Sequence, residues 1–286
     1  MTTKTLANCR LRMNAIHLCV IGSVFGIAQH GWSTPYLNGS TGANQNWAVS
    51  LSSEVNSRHL EGTLVNRSNI SENQVFGTFL ATGDSMNLGR EYATTVYVSA
   101  RYNKWVFGFQ YLPTSFSGLG TAQAELEVEN FGGFVSVPVE SDIRVDMLFG
   151  KVSYNLINEE DRVFGIGLGV GQLHIDLNVT PDVGSYLIYR EKQPFGYLNF
   201  HMANRHERFY YGFTINAIKI KFEEIAENFS DYKIDFGYRM IDTAVKWDIL
   251  AGYRLMNIEF DMHFPPNTTS ADVQLKGPFL GLSVSY

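Results

Sequence analysis

Two pairs of residues in this chain have the types and spacing of a base held by a carboxylate: His174 with Asp176, and Asp261 with His263. Members two positions apart share one face of an extended strand. A histidine oriented by a carboxylate can activate water or a hydroxyl, which is the chemistry of hydrolysis. A second constellation is broader. Arg144 and Asp146, Asp235 and Arg239, then Asp248 and Arg254 recur at even spacings inside strand-like stretches. Each set therefore falls on one face and is expected to line a lumen if the strands close on themselves. Paired across a narrow lumen, such charges hold it rigid; unpaired, they line a path for ions or a small solute. No metal-ligand spacing, phosphate-cradling glycine loop or Gly-x-Ser-x-Gly motif occurs, so neither a metal nor a cofactor is expected.

The elements that would position these residues are strands. Trp105, Phe107, Phe109 and Tyr111 alternate with Val106, Gly108 and Gln110. Phe164, Ile166, Leu168 and Val170 alternate with four glycines, and Phe209, Tyr211, Phe213 and Ile215 alternate with Tyr210, Gly212 and Thr214. Period two with one large apolar face reads as β-strand. The 286 residues are 14% aromatic and 17% charged, and beyond the N-terminus no apolar run approaches the roughly 20 residues of a membrane helix. Ten strands are expected, near 46–55, 92–101, 104–113, 141–155, 162–177, 194–204, 207–222, 231–241, 245–262 and 273–286. Very short polar turns alternate with long polar connections, and a further strand within 73–80 would change the count. That sorting of connections points to an all-β fold, an antiparallel transmembrane up-and-down β-barrel of about ten strands, with eight or twelve as alternatives.

The N-terminus reads as a signal peptide over 1–28. Lys4, Arg10 and Arg12 precede an apolar stretch from Ala15, and Gly26-Ile27-Ala28 offers a cleavage site after Ala28. Residues 29–45 read as a flexible segment and 46–286 as the barrel. Both cysteines, Cys9 and Cys19, lie in the leader, so the exported chain has no thiol chemistry. Removing the three leader cations takes the basic count from 22 to 19 against 28 acids, and the net charge from −6 to −9. An acidic chain gives no electrostatic case for nucleic acid.

The last strand carries the most specific signal. Leu280, Leu282, Val284 and Tyr286 alternate to an aromatic terminus, an ending that resembles the assembly signal of bacterial outer-membrane β-barrels. The tokens Ile143-Arg-Val-Asp146, Gly165-Ile-Gly-Leu-Gly169, Gly252-Tyr-Arg-Leu255 and Gly277-Pro-Phe-Leu-Gly-Leu282 extend the resemblance over about 92–286. It implies an outer-membrane protein handled by the barrel-assembly machinery and surrounded by lipid and lipopolysaccharide. The role it implies is structural, in surface interaction on some ligand, or as a narrow pore for a small solute. The size, strand number and rim His/Asp pairs are also similar to the omptin proteases, which implies as alternative a surface hydrolase using His174, Asp176, Asp261 and His263.

Overall fold

The alternating stretches become eleven antiparallel strands: β1 (Trp47–Ser68), β2 (Thr78–Thr82), β3 (Glu91–Tyr102), β4 (Trp105–Val128), β5 (Phe131–Asn158), β6 (Arg162–Pro181), β7 (Leu187–His206), β8 (Phe209–Phe222), β9 (Ile225–Asp242), β10 (Lys246–Phe264) and β11 (Asn267–Ser285). The computed structural model describes residues 47–68, 78–82, 87–128, 131–181, 187–222, 225–264 and 267–286. The expected leader 1–28 and segment 29–45 lie outside the described residues. Each strand pairs with its sequence neighbour from β3 to β11, and β11 returns to β1 with Ser50 opposite Ser285 and Val55 opposite Leu280. Tyr286 exchanges two backbone hydrogen bonds of 3.2 Å with Val49, so the chain's last residue is itself part of the closure. Strands β2 and β3 occupy one wall position in succession, both between β1 and β4. The sheet is thus a closed barrel of ten positions, and closure removes every free edge.

Which face is apolar depends on height. At the end with the tight turns, large apolar side chains point outward: Leu168 is 67% exposed, Val170 70%, Phe209 65% and Leu280 65%. Their inward neighbours are small, polar or charged, apart from a buried apolar cluster of Val163, Ala203, Tyr210, Leu250 and Phe279. Further along every long strand the assignment reverses. On β6 the outward set becomes Gln172, His174 and Asp176 while Leu173, Ile175 and Leu177 turn inward and are buried. On β10 the outward Ile249 and Tyr253 give way to Asn257 and Glu259, and the inward Asp248 and Arg254 give way to Met256 and Ile258. Water accepts the upper exterior. An aliphatic belt around the lower exterior is stable only against hydrocarbon.

Aromatic girdles bound that belt. Trp47 packs on Tyr102 at 4.6 Å, Trp105 on Tyr154 at 5.1 Å and Phe209 on Tyr238 at 4.9 Å, all at the tight-turn end. The opposite edge is marked by Tyr111, Tyr232 and Tyr253, which lie 8, 11 and 9 residues from Asn103, Thr243 and Ala244 in the turns. At about 2.5 Å of height per tilted residue, the belt is roughly 20–28 Å tall, the thickness of a membrane barrel's apolar band.

The long connections of the sequence reading are largely strand. β4 and β5 stay paired until Val128 faces Phe131, and β10 and β11 until Phe264 faces Asn267. Above the belt the wall therefore continues as β-structure. Tight turns occupy the other end, where Asn103 takes the left-handed conformation (φ 52) that asparagine tolerates.

Candidate functional site

The lumen of the membrane-level segment is a polar layer in which nearly every strand supplies one or two side chains. Arg254 of β10 donates two hydrogen bonds of 2.7 Å to the carboxylate of Asp231 on β9. Arg239 donates to Asp248 at 3.0 Å, with both side chains at or below 1% exposure. Lys233 reaches Glu54 on β1, and its ammonium also sits 4.6 Å from the ring centre of Phe279. Buried ions of this kind persist only when paired, because leaving one alone in a low-dielectric interior is expensive.

Asp231 also fixes the polarity of a longer chain of amides. A carboxylate only accepts, so Asn216 must present its Nδ2 to Asp231, at 2.8 Å, and its Oδ1 to Asn199, whose Nδ2 donates at 2.7 Å. That leaves the Oδ1 of Asn199 for Ser153, which donates at 2.9 Å, and for His201 Nδ1 at 3.1 Å. The Nδ1 of this buried histidine must therefore carry a proton. The Nε2 faces Asn155 at 2.9 Å, near the tight turns. One carboxylate in mid-lumen thus orients a hydrogen-bonded line running to the barrel's lower end.

Directly above lies an apolar layer. Phe149, Phe195, Tyr197 and Phe229 form a cluster with centroid separations of 4.7–6.3 Å. Phe149 is the boundary: the guanidinium of Arg254 lies 5.9 Å from its ring centre on the polar side. Leu112, Met147, Leu177 and Met256 are each 1% exposed, and Phe116 is 2% exposed. Between the layers a cavity of about 60 Å³, lined by Glu54, Lys151, Asp231, Lys233, Asp235 and Arg254 among others, has room for a few waters and is far smaller than a small-molecule site. Among the described residues no group of three His, Cys, Asp or Glu side chains is set to hold a metal.

Of the charges expected in the lumen, Asp235, Arg239, Asp248 and Arg254 face it. Arg144 and Asp146 do not, which corrects the sequence reading. Arg144 is 59% exposed on its side chain and donates to Asp146 at 2.8 Å on the outer wall, while Val145 and Met147 point inward and are buried. Both residues lie above the height at which inside and outside exchange character, so the alternation that put charge inward below puts it outward here. His174 and Asp176 are on the same outer wall, and Asp176 accepts from Arg190 at 3.1 Å. Asp261 and His263 belong to β10, separated from β6 by three intervening strands; their side chains lie outside the described residues. The structure does not bring the two pairs together. Leu280, Leu282, Val284 and Tyr286 share the outward face of β11, with Tyr286 55% exposed at the lower girdle.

The sequence reading missed Glu54, Asn199, His201, Asn216 and Asp231. For Glu54 a signal existed: Ser50, Ser52, Glu54, Asn56 and Arg58 are polar at every second position, and all are buried inward. For Asn199 and His201 the same alternation opposes Leu198, Phe200 and Met202, all exposed.

No protein-family model matches the chain, and no curated protein does. Among solved structures, the outer-membrane protease OmpT of Escherichia coli is similar with a TM-score of 0.55 at 12% identity, covering 83% of this chain and 96% of that one. The outer-membrane protein OprG of Pseudomonas aeruginosa gives a TM-score of 0.34 at 10% identity, over 84% and 95%. With its closed ten-position wall, aliphatic belt and paired aromatic girdles, the chain has the fold of the bacterial outer-membrane β-barrel proteins.

Proposed function

We propose that the chain is an integral outer-membrane protein that does not conduct: a closed barrel that anchors a rigid β-walled extension outside the cell and serves as a surface-interaction scaffold. The observation that carries this reading is the filled lumen, with ion pairs in the lower layer and close-packed apolar side chains above them. A solute would have to break Arg254 from Asp231 and then cross the aromatic cluster. The extension supports the scaffold role, since its exterior is polar while its interior packs as a soluble core. The tight turns and both barrel termini face the periplasm, lipopolysaccharide and lipid surround the belt, and the barrel-assembly machinery reads the outward face of β11. OmpT is named a protease, but here no observation favours hydrolysis: Asp176 is engaged by Arg190 on the outer wall.

The test is single-channel recording of the refolded chain in a planar bilayer, with folding verified by heat-modifiable migration. Silence at physiological salt is the expected result. Regular conductance steps from folded protein would overturn the reading.

A further inference from the structure

Two buried charges in mid-lumen are only partly satisfied by the chain. Glu54 of β1 is 2% exposed and accepts from Lys233 on Oε1, while its Oε2 is buried with no hydrogen-bond partner among the described residues. Arg254 of β10 is 5% exposed and donates through Nε and Nη2 to Asp231, at 2.7 Å each. Nη2 also reaches Gln110 at 3.3 Å, and Nη1 is buried and unpartnered in the same way as the glutamate oxygen. Buried polar atoms are nearly always bonded, to protein or to ordered water, so each orphan calls for a partner.

Both side chains line one cavity, the space of about 60 Å³ beneath the aromatic cluster, with Phe149 and Tyr197 on its upper side. A space of that size holds roughly two to four waters. The two orphans specify the ligand. One is an anionic acceptor and the other a cationic donor, so a molecule that bridges them must donate at one end and accept at the other. An anion would satisfy Arg254 and be repelled by Glu54, and a cation the reverse. The remaining charges do not tip that balance, since Glu54, Asp231 and Asp235 stand against Lys151, Lys233 and Arg254 around the same space. The volume is too small for an ordinary organic ligand. Water has both functions at that size.

We infer that this cavity is a site for a cluster of resident waters, which bonds Glu54 Oε2 to Arg254 Nη1 across the lumen. The Lys233–Glu54 pair of β9 and β1 and the Arg254–Asp231 pair of β10 and β9 then become one network. Through Asn216 and Asn199 it continues into the amide line on β7. A bridging water is nearly as good as a direct hydrogen bond, so the cluster ties β1 to the opposite wall where no side chain reaches. The wet layer lies directly against the packed one, and the boundary between them is the ring of Phe149.

The experiment is hydroxyl-radical labelling of the full refolded chain in lipid vesicles, with radicals made by X-ray radiolysis and products read by peptide mass spectrometry. Radiolysis of a bound water makes the radical in place, so a side chain against that water is oxidised although bulk solvent does not reach it. Phe149 and Phe116 are a matched pair: the same side chain, 3% and 2% exposed, of which only Phe149 lines this cavity. The expected result is oxidation of Phe149 several-fold faster than of Phe116. Equal and slow rates would mean a dry cavity, and equal and fast rates a lumen filled by bulk water; either overturns the site, and only the second also contradicts the non-conducting reading. Thr214→Leu puts methyl groups into the cavity without removing a partner from either ion pair. It should slow Phe149 toward the Phe116 rate, and an unchanged rate in the folded variant overturns the site as well. If Thr214→Leu does not fold, the matched pair in the parent chain decides by itself.

Discussion

Gly169 and Gly150 sit on adjacent strands, one facing the lumen and one the lipid, and an alanine at each should have opposite effects. A Cβ added to Gly169 would stand 2.1 Å from Cζ of Tyr197 and 2.5 Å from each of its Cε atoms. Ordinary carbon contacts begin near 3.5 Å, so the ring would have to move by more than about 1 Å. It has no room to do so. Tyr197 is 3% exposed, its ring lies 5.8 Å from Phe149 and 6.2 Å from Phe195, and its hydroxyl donates to the carbonyl of Gly150 at 3.2 Å. The tyrosine reaches β5 by lying across the bare backbone of β6. Overpacking of this kind costs about 1–3 kcal/mol, and the lost hydrogen bond about 1 kcal/mol more. The lower entropy of alanine in the unfolded chain offsets about 0.5–1 kcal/mol. Gly169→Ala should therefore lose about 1–3 kcal/mol. At Gly150 the added Cβ meets only Val170 Cγ2 at 3.9 Å, an ordinary contact, so Gly150→Ala should be neutral or gain up to about 1 kcal/mol from the same entropy. Urea unfolding of both variants in lipid vesicles, compared at equal slope, measures the difference. A Gly169→Ala barrel as stable as the parent would refute the steric argument outright.

Replacing Asp231 with Asn should cost about 3–5 kcal/mol, because it strands the buried guanidinium of Arg254 and turns one of the two oxygens that accept from Arg254 and Asn216 into a donor. The double variant Asp231→Asn with Arg254→Met should recover much of that loss; equal instability of single and double variants in urea would show that the ion pair is not the cause. Tyr286→Asp places a carboxylate at the interfacial girdle, where a charge costs only about 0–1 kcal/mol, so refolding into vesicles should be nearly unchanged. On the proposal that assembly reads the outward face of β11, its yield of heat-modifiable protein in cell envelopes should nevertheless fall several-fold; an unchanged yield would remove that role.

The sequence by itself determined the membrane-level part of the strands and the class. Period-two alternation reads as strand, and the density of aromatics, the terminal Tyr286 and the signal-like N-terminus together pointed to a barrel in lipid. It also put Arg239, Asp248 and Arg254 on a lumen face, because below the boundary an inward position is whatever alternates with the belt. Only the tertiary structure decided where that rule stops. At Gln172 on β6 and Asn257 on β10 the wall leaves the hydrocarbon, water replaces lipid outside, and the same alternation must turn its apolar residues inward. Local periodicity records that two faces differ, without recording which solvent each one meets. Arg144 and Asp146 were misplaced for that reason, and the upper strands looked like polar loops for the same one. The lumen network was hidden for another cause. Lys233 finds Glu54 across 179 positions of sequence, and Tyr197 finds room only over Gly169 of a neighbouring strand. Such partners are set by the register around a closed barrel, which is a property of the whole ring of strands and of none of them singly.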